Sequence, residues 1–141
     1  MSVQAQILNV LSDLRQQLGL TILMISHDLS VVQYFSDRVA VMYFGKLMEV
    51  GTVEQVFQSP AHPYTKALLN AIPEPDPDNI RDINPIKGDI PSPINPPSGC
   101  VFRTRCPFAV NACEVDVPPL MTIAPGHQAA CIFAKEETNV T

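Results

Sequence analysis

Cys100, Cys106, Cys113 and Cys131 are spaced C-x₅-C-x₆-C-x₁₇-C, and no cysteine occurs in the first 99 residues. No basic region or long apolar core follows Met1-Ser2-Val3-Gln4, so no secretory signal is expected. Thiolates gathered this way in a reducing compartment suit metal or iron–sulfur ligation better than disulfides. Structural zinc usually shows a close C-x₂₋₄-C pair, which is absent, and the common ferredoxin spacings are absent too. Spacing alone therefore says four soft ligands without naming the metal, with buried free thiols as the plainer alternative. Arg103 and Arg105 lie between ligands and either offset thiolate charge or are simply solvated. His127 stands four residues before Cys131 as a fallback ligand, an ordinary surface histidine being the plainer reading.

His27 is the other candidate for chemistry. It falls where an apolar run ends and a helix begins, the usual place for ligand contact in an α/β sheet. By spacing alone, a polar residue in a turn describes it as well. His62 reads as a turn residue before Pro63.

The elements that must position these residues read clearly over 1–72. Val3, Ile7, Leu11, Leu14 and Leu18 recur at helical spacing, and Gly19 is placed to end that helix. Leu20 to Ile25 is a continuous apolar run, expected to form a strand buried on both faces. Asp28 is placed to cap a second helix carrying Leu29, Val31, Val32 and Phe35. Arg38–Phe44 and Lys46–Val50 predict a hairpin turning at Gly45. Thr52 and Gln55 have capping-box spacing for a short helix ending near Gln58, and Pro63 suits the first turn of another. Met24, Met42, Met48, Tyr43 and Phe44 are expected in the core. One buried strand cannot make a doubly covered sheet, so the α/β part reads as a portion of a larger domain.

Twelve of the fourteen prolines lie between Pro73 and Pro125. The alternation Pro73-Glu74-Pro75-Asp76-Pro77 fits neither helix nor sheet. The expected organisation is regular α/β structure over 1–72, a proline-rich connector over 73–98, a cysteine-rich knot over 99–133 and a frayed tail over 134–141. Such a knot, with little regular structure and a small core, needs a staple. The formal net charge of −5 and pI near 5.0 argue against a nucleic-acid partner. No apolar run reaches the about 18 residues of a membrane span, so the chain is expected to be soluble and cytoplasmic.

Several segments carry a family resemblance. Ile25-Ser26-His27-Asp28-Leu29, followed by Ser36-Asp37-Arg38-Val39, resembles ABC-transporter ATPase subunits just beyond their second nucleotide motif. Ser2 to Ile7 resembles the segment after the loop that meets the opposing ATPase. His62-Pro63-Tyr64-Thr65-Lys66-Ala67-Leu68-Leu69 resembles the start of the C-terminal extension of oligopeptide and dipeptide importers. Pro91 to Cys100 and Arg103 to Pro107 resemble that extension most closely in the F-type ATP-binding subunit of oligopeptide importers.

The resemblance implies a fold class: the C-terminal part of a P-loop NTPase (ABC ATPase) domain, α/β, plus a small irregular cysteine-rich extension. It implies that His27 is the switch histidine touching the γ-phosphate of ATP. It implies a [4Fe–4S] cluster on Cys100, Cys106, Cys113 and Cys131, with zinc as second choice. Implied partners are a second ATPase subunit, two membrane permease subunits and, indirectly, an external peptide-binding protein. The location would be peripheral, on the inner face of the cell membrane. Yet the sequence has no Gly-x-x-x-x-Gly-Lys-[Ser/Thr] loop, no Leu-Ser-Gly-Gly-Gln signature and no Asp-Glu metal and base pair. Gly45-Lys46 is a decoy, because Ala40 and Leu47 stand where a glycine and a hydroxyl are needed. ATP and Mg²⁺ are thus cofactors of an intact subunit, and the chain alone is expected to be inactive. The alternative is a free-standing iron–sulfur or zinc-binding accessory module.

Overall fold

A computed structural model of the chain describes residues 3–72, 86 and 88–134. It divides into two compact units, Met1–Ser36 and Asp37–Thr141.

The first unit is a pair of helices, α1 (Val3–Leu18) and α2 (Leu29–Phe35), joined by an extended segment. Gly19 adopts φ +63°, and the Leu20 N–H returns to the Arg15 carbonyl at 3.1 Å, closing α1 as the sequence predicts. Asp28 caps α2 by accepting from the Ser30 and Val31 N–H groups at 3.0 and 3.3 Å. The expected strand over Leu20 to Ile25 does not form. Leu23 and Ile25 are 92% and 96% exposed, while Ile22 and Met24 are half-buried. A strand needs a neighbour for its backbone groups, and among the described residues none pairs with this run. Val3, Ile7, Leu14 and Leu18, the apolar stripe of α1, are likewise exposed.

The second unit is built on a four-stranded antiparallel sheet in the order β1-β2-β4-β3. Strands β1 (Arg38–Tyr43) and β2 (Lys46–Thr52) form the predicted hairpin. Its turn places Phe44 at φ 48° and Gly45 at φ 72°, the doubly left-handed conformation of a tight hairpin loop. Helix α3 (Val53–Gln58) carries the predicted capping box, Thr52 accepting from the Gln55 N–H and Gln55 from the Thr52 N–H. Helix α4 (Pro63–Asn70) follows with His62 as its N-cap.

Beyond it, the cysteine-rich segment has more regular structure than expected. It holds a 3₁₀ turn at Arg103–Arg105, the short helix α5 (Ala112–Val115), and strands β3 (Met121–Ala124) and β4 (His127–Ala129). Strand β4 pairs with β2, Glu49 opposite Ala129 and Val50 opposite Gln128. Residues distant in sequence therefore share one sheet. Most of the proline-rich connector expected over 73–98, namely 73–85 and 87, lies outside the described residues, as does the expected tail after Ala134.

Two apolar clusters fill this unit. Tyr43, Met48, Val101 and Phe102 form one, with Tyr64, Cys100 and Cys106 packed against it. Ala61, Ala129, Cys131 and Ala134 form the other. Met48 and Tyr43 are core as expected, but Met42 is 56% exposed, because it alternates with buried Tyr43 along β1.

A candidate cysteine site and its supports

The four cysteines come together. Cys100, Cys106, Cys113 and Cys131 line one cavity, walled also by His62, Pro63, Phe102, Arg103 and Pro118. Local structure explains how each arrives. Gly99 adopts φ +65°, and a side chain there would run into the Cys113 carbonyl oxygen. The chain can thus press against α5, where the Cys100 N–H donates to the Cys113 carbonyl at 2.8 Å. The 3₁₀ turn carries the chain from Cys100 to Cys106, with the Arg103 N–H on the Cys100 carbonyl and the Cys106 N–H on the Arg103 carbonyl. Cys131 follows β4, and the Ala130 N–H donates to the Met48 carbonyl at 2.8 Å.

Burial pushes the thiols of Cys100, Cys106 and Cys131 above the usual cysteine range, and neighbouring cysteines push the same way. Backbone N–H groups oppose the shift, as does Arg103 at Cys100. Thiols in this state are poor nucleophiles and must shed protons to bind a metal. Among the described residues, no group of three or more His, Cys, Asp or Glu is arranged to hold a metal ion. None of the four is in a disulfide.

The arginines are held by protein groups. Arg103 donates to the Ser98 carbonyl at 2.8 Å and approaches Glu114 at 3.4 Å, and Arg105 reaches the Tyr43 hydroxyl at 3.4 Å. Neither is the freely solvated residue of the plainer reading.

His127 is neither a surface histidine nor a cysteine-site ligand. It is 4% exposed, and its Nε2 lies 2.7 Å from Glu49 Oε1. Glu49 is 0% exposed and also accepts from the Ala61 N–H at 2.9 Å and the His62 N–H at 3.0 Å. One carboxylate thus ties β2, β4 and the start of α4 together. A register shift in the β1–β2 pairing, between Val41 and Met42, falls opposite Met48, so that Met48 and Glu49 are buried in succession. Strict alternation would have given Glu49 to solvent, which is why the sequence reading missed it.

His62 is more than a turn residue. It is 1% exposed, caps α4 by accepting the Tyr64 N–H on Nδ1 at 3.0 Å, and packs against Phe102 with ring centres 6.0 Å apart. Burial lowers its pKa to about 4, although Glu49 and the Ala130 carbonyl pull upward. Its neutral ring is therefore the form present at pH 7. The His-Pro-Tyr run was the available signal: a histidine before a helix-starting proline is placed to cap, and a cap facing the core is buried.

His27 belongs to the first unit. It is exposed, one residue before the α2 cap Asp28. Among the described residues, no helix is long and apolar enough to cross a membrane.

Residues 48–113 match the family of the oligopeptide/dipeptide transporter, C-terminal region. A protein of Brucella ovis named as a peptide import ATP-binding protein is 59% identical over 131 residues, 93% of this chain and 41% of the relative. A Bacillus subtilis protein named for oligopeptide transport ATP binding is 51% identical, over 97% of this chain and 43% of its own length. The Salmonella typhimurium oligopeptide transport ATP-binding protein OppF is 50% identical, over 93% of this chain and 40% of its own length. The chain thus spans about two fifths of the length of these relatives. They are named for ATP binding and transport, which gives the free-standing metal module no support.

Proposed function

We propose that the chain acts as the C-terminal part of the ATP-binding subunit of a peptide ABC importer. The observation that carries this reading is the match of residues 48–113, together with relatives named for ATP binding and peptide import. In an intact subunit, ATP and Mg²⁺ would be gripped by loops that this sequence does not contain. Residues 1–72 would complete the ATPase domain, and His27 would stand at its nucleotide edge to donate a hydrogen bond to the γ-phosphate. Residues 73–98 would connect this part to the cysteine-rich 99–133, with 134–141 as a tail. The working partners would be a second ATPase subunit and two membrane permeases, at the inner face of the membrane. An external peptide-binding protein would deliver the cargo.

On the family resemblance, the cysteine site would hold a [4Fe–4S] cluster, with zinc as second choice. Four thiols border one cavity, which is the ligand number such a cluster takes. When bound, such a cluster supplies a multi-point cross-link and a reversible one-electron couple. The protein does the rest. Gly99 sets Cys100 against Cys113, the β2–β4 pairing sets Cys131, and Phe102, Pro63 and Pro118 keep water away. Its default role is a structural staple. Anaerobically purified chain is expected to be brown, with iron and sulfide in equal amounts, and to hydrolyse no ATP above background. Importer-like ATP turnover by the chain alone overturns the subunit reading. Stoichiometric zinc in place of iron overturns the cluster.

A further inference from the structure

One side chain bordering the cysteine cavity has an unmet demand. His62 Nδ1 accepts the Tyr64 N–H at 3.0 Å. A ring nitrogen that accepts carries no hydrogen, so the neutral imidazole must carry it on Nε2. Nε2 is buried and makes no hydrogen bond. The Ala130 backbone carbonyl lies near enough to the ring to pull its pKa upward as a hydrogen-bond partner, but Nε2 meets no acceptor at full hydrogen-bond distance and angle. A buried N–H with no acceptor is rare enough to point to an absent partner.

The ring is fixed in place. Its backbone N–H is held by Glu49 Oε2 at 3.0 Å, and its face packs on Phe102. It forms part of the wall of the cavity bordered by the four cysteines. Pro63, Phe102, Pro118, Ile132 and Phe133 offer no side-chain acceptor there, and Arg103 can only donate. Among the side chains that line the cavity, the four cysteine sulfurs are the acceptors that remain, with the Ala130 carbonyl as the backbone rival.

We propose that His62 Nε2–H donates a hydrogen bond to the sulfur-rich group held by Cys100, Cys106, Cys113 and Cys131, on a cysteine sulfur or a bridging sulfide. The proposal rests on the cluster reading above. It makes His62 a positioning residue that tunes the group's electronics. A donor to sulfur favours the more negative, reduced form and so raises the reduction potential.

The test compares the full chain with His62→Asn, both reconstituted anaerobically with ferrous iron and sulfide. Asparagine keeps an oxygen to accept the Tyr64 N–H, so the helix cap survives, but its side chain is too short to replace Nε2. Equal iron content is expected, with a midpoint potential in the variant lower by about 59 mV, equivalent to a tenfold weaker reduction equilibrium for one electron. Equal iron with an unchanged potential overturns the proposal, leaving His62 as a cap beside the Ala130 carbonyl. No iron–sulfur spectrum in the unsubstituted chain overturns the cluster reading itself, and the proposal with it. Should the variant fail to fold, the unsubstituted chain labelled with ¹⁵N-histidine decides by pulsed EPR of the reduced cluster. Coupling to a histidine nitrogen with an exchangeable proton supports the proposal, since His27 is exposed and His127 is bound to Glu49. Absence of that coupling overturns it.

Discussion

Replacing Glu49 by glutamine tests whether one buried carboxylate fastens the cysteine-rich segment to the hairpin. Its two oxygens take three donors: Ala61 N–H at 2.9 Å, His62 N–H at 3.0 Å and His127 Nε2 at 2.7 Å. Glutamine offers one oxygen, and its NH₂ must then face at least one of these donors. A hydrogen bond to a charged group contributes about 1.5–3 kcal/mol, and stranding a buried donor costs about 1–3 kcal/mol more. The expected loss in Glu49→Gln is therefore about 3–5 kcal/mol, a large share of the about 5–15 kcal/mol that holds a typical domain. At about 4 °C per kcal/mol, melting falls by roughly 12–20 °C. Urea unfolding followed by circular dichroism measures the global loss. Hydrogen exchange at Ala61 and His62 should quicken first, because their N–H groups lose an acceptor. A loss below about 1 kcal/mol, with exchange at those two amides unchanged, would refute the reasoning.

Three further outcomes follow from the same unit. Folding holds the His62 pKa at about 4 against 6.5 for the free group, so the folded chain binds fewer protons in that window. The resulting stability is fully present above pH 6.5 and lost as pH falls toward 4. It amounts to about 3 kcal/mol at about 1.4 kcal/mol per pH unit, and urea midpoints from pH 4 to 7 should show this slope, flattened in His62→Asn. Gly99→Ala puts a methyl group into the Cys113 carbonyl at a left-handed backbone position. It should cost at least about 2 kcal/mol and, on the proposed cluster, reduce iron per chain; normal loading would show that the Gly99–Cys113 contact does not set the site. Phe102, 1% exposed among the rings of Tyr43, Tyr64 and His62, should cost about 3–5 kcal/mol when cut to alanine, read by thermal melting.

Local signals in the sequence were reliable where the physics is local. The Asp28 cap, the Thr52–Gln55 capping box, Gly19 and Gly45 in left-handed turns, and Pro63 in a first turn all depend on a few consecutive residues. Leu20 to Ile25 went the other way. Its apolar character reads as a buried strand, but the backbone hydrogen bonds must come from neighbours that the described residues do not supply. The stripe of α1 is exposed in the same manner.

His127 and Glu49 show a different limit. Nothing near His127 in sequence announces a carboxylate 78 residues away. The register shift that buries Met48 and Glu49 together also defeats the alternation by which strand faces are read. Arg103 and Arg105 were ambiguous for the same reason, since Ser98, Glu114 and Tyr43 decide what they do.

By itself, the sequence determined the inventory: four thiols in the last third, a His-Pro-Tyr helix start, and the family motifs present and missing. Covalent order and short-range capping suffice for that. The tertiary structure alone decided that four thiols separated by 5, 6 and 17 residues border one cavity. It also decided that β4 returns to β2 and that Glu49 and His62 lie within. These outcomes rest on long-range strand pairing and on pairing buried polar groups, whose partners are fixed only when the chain closes on itself.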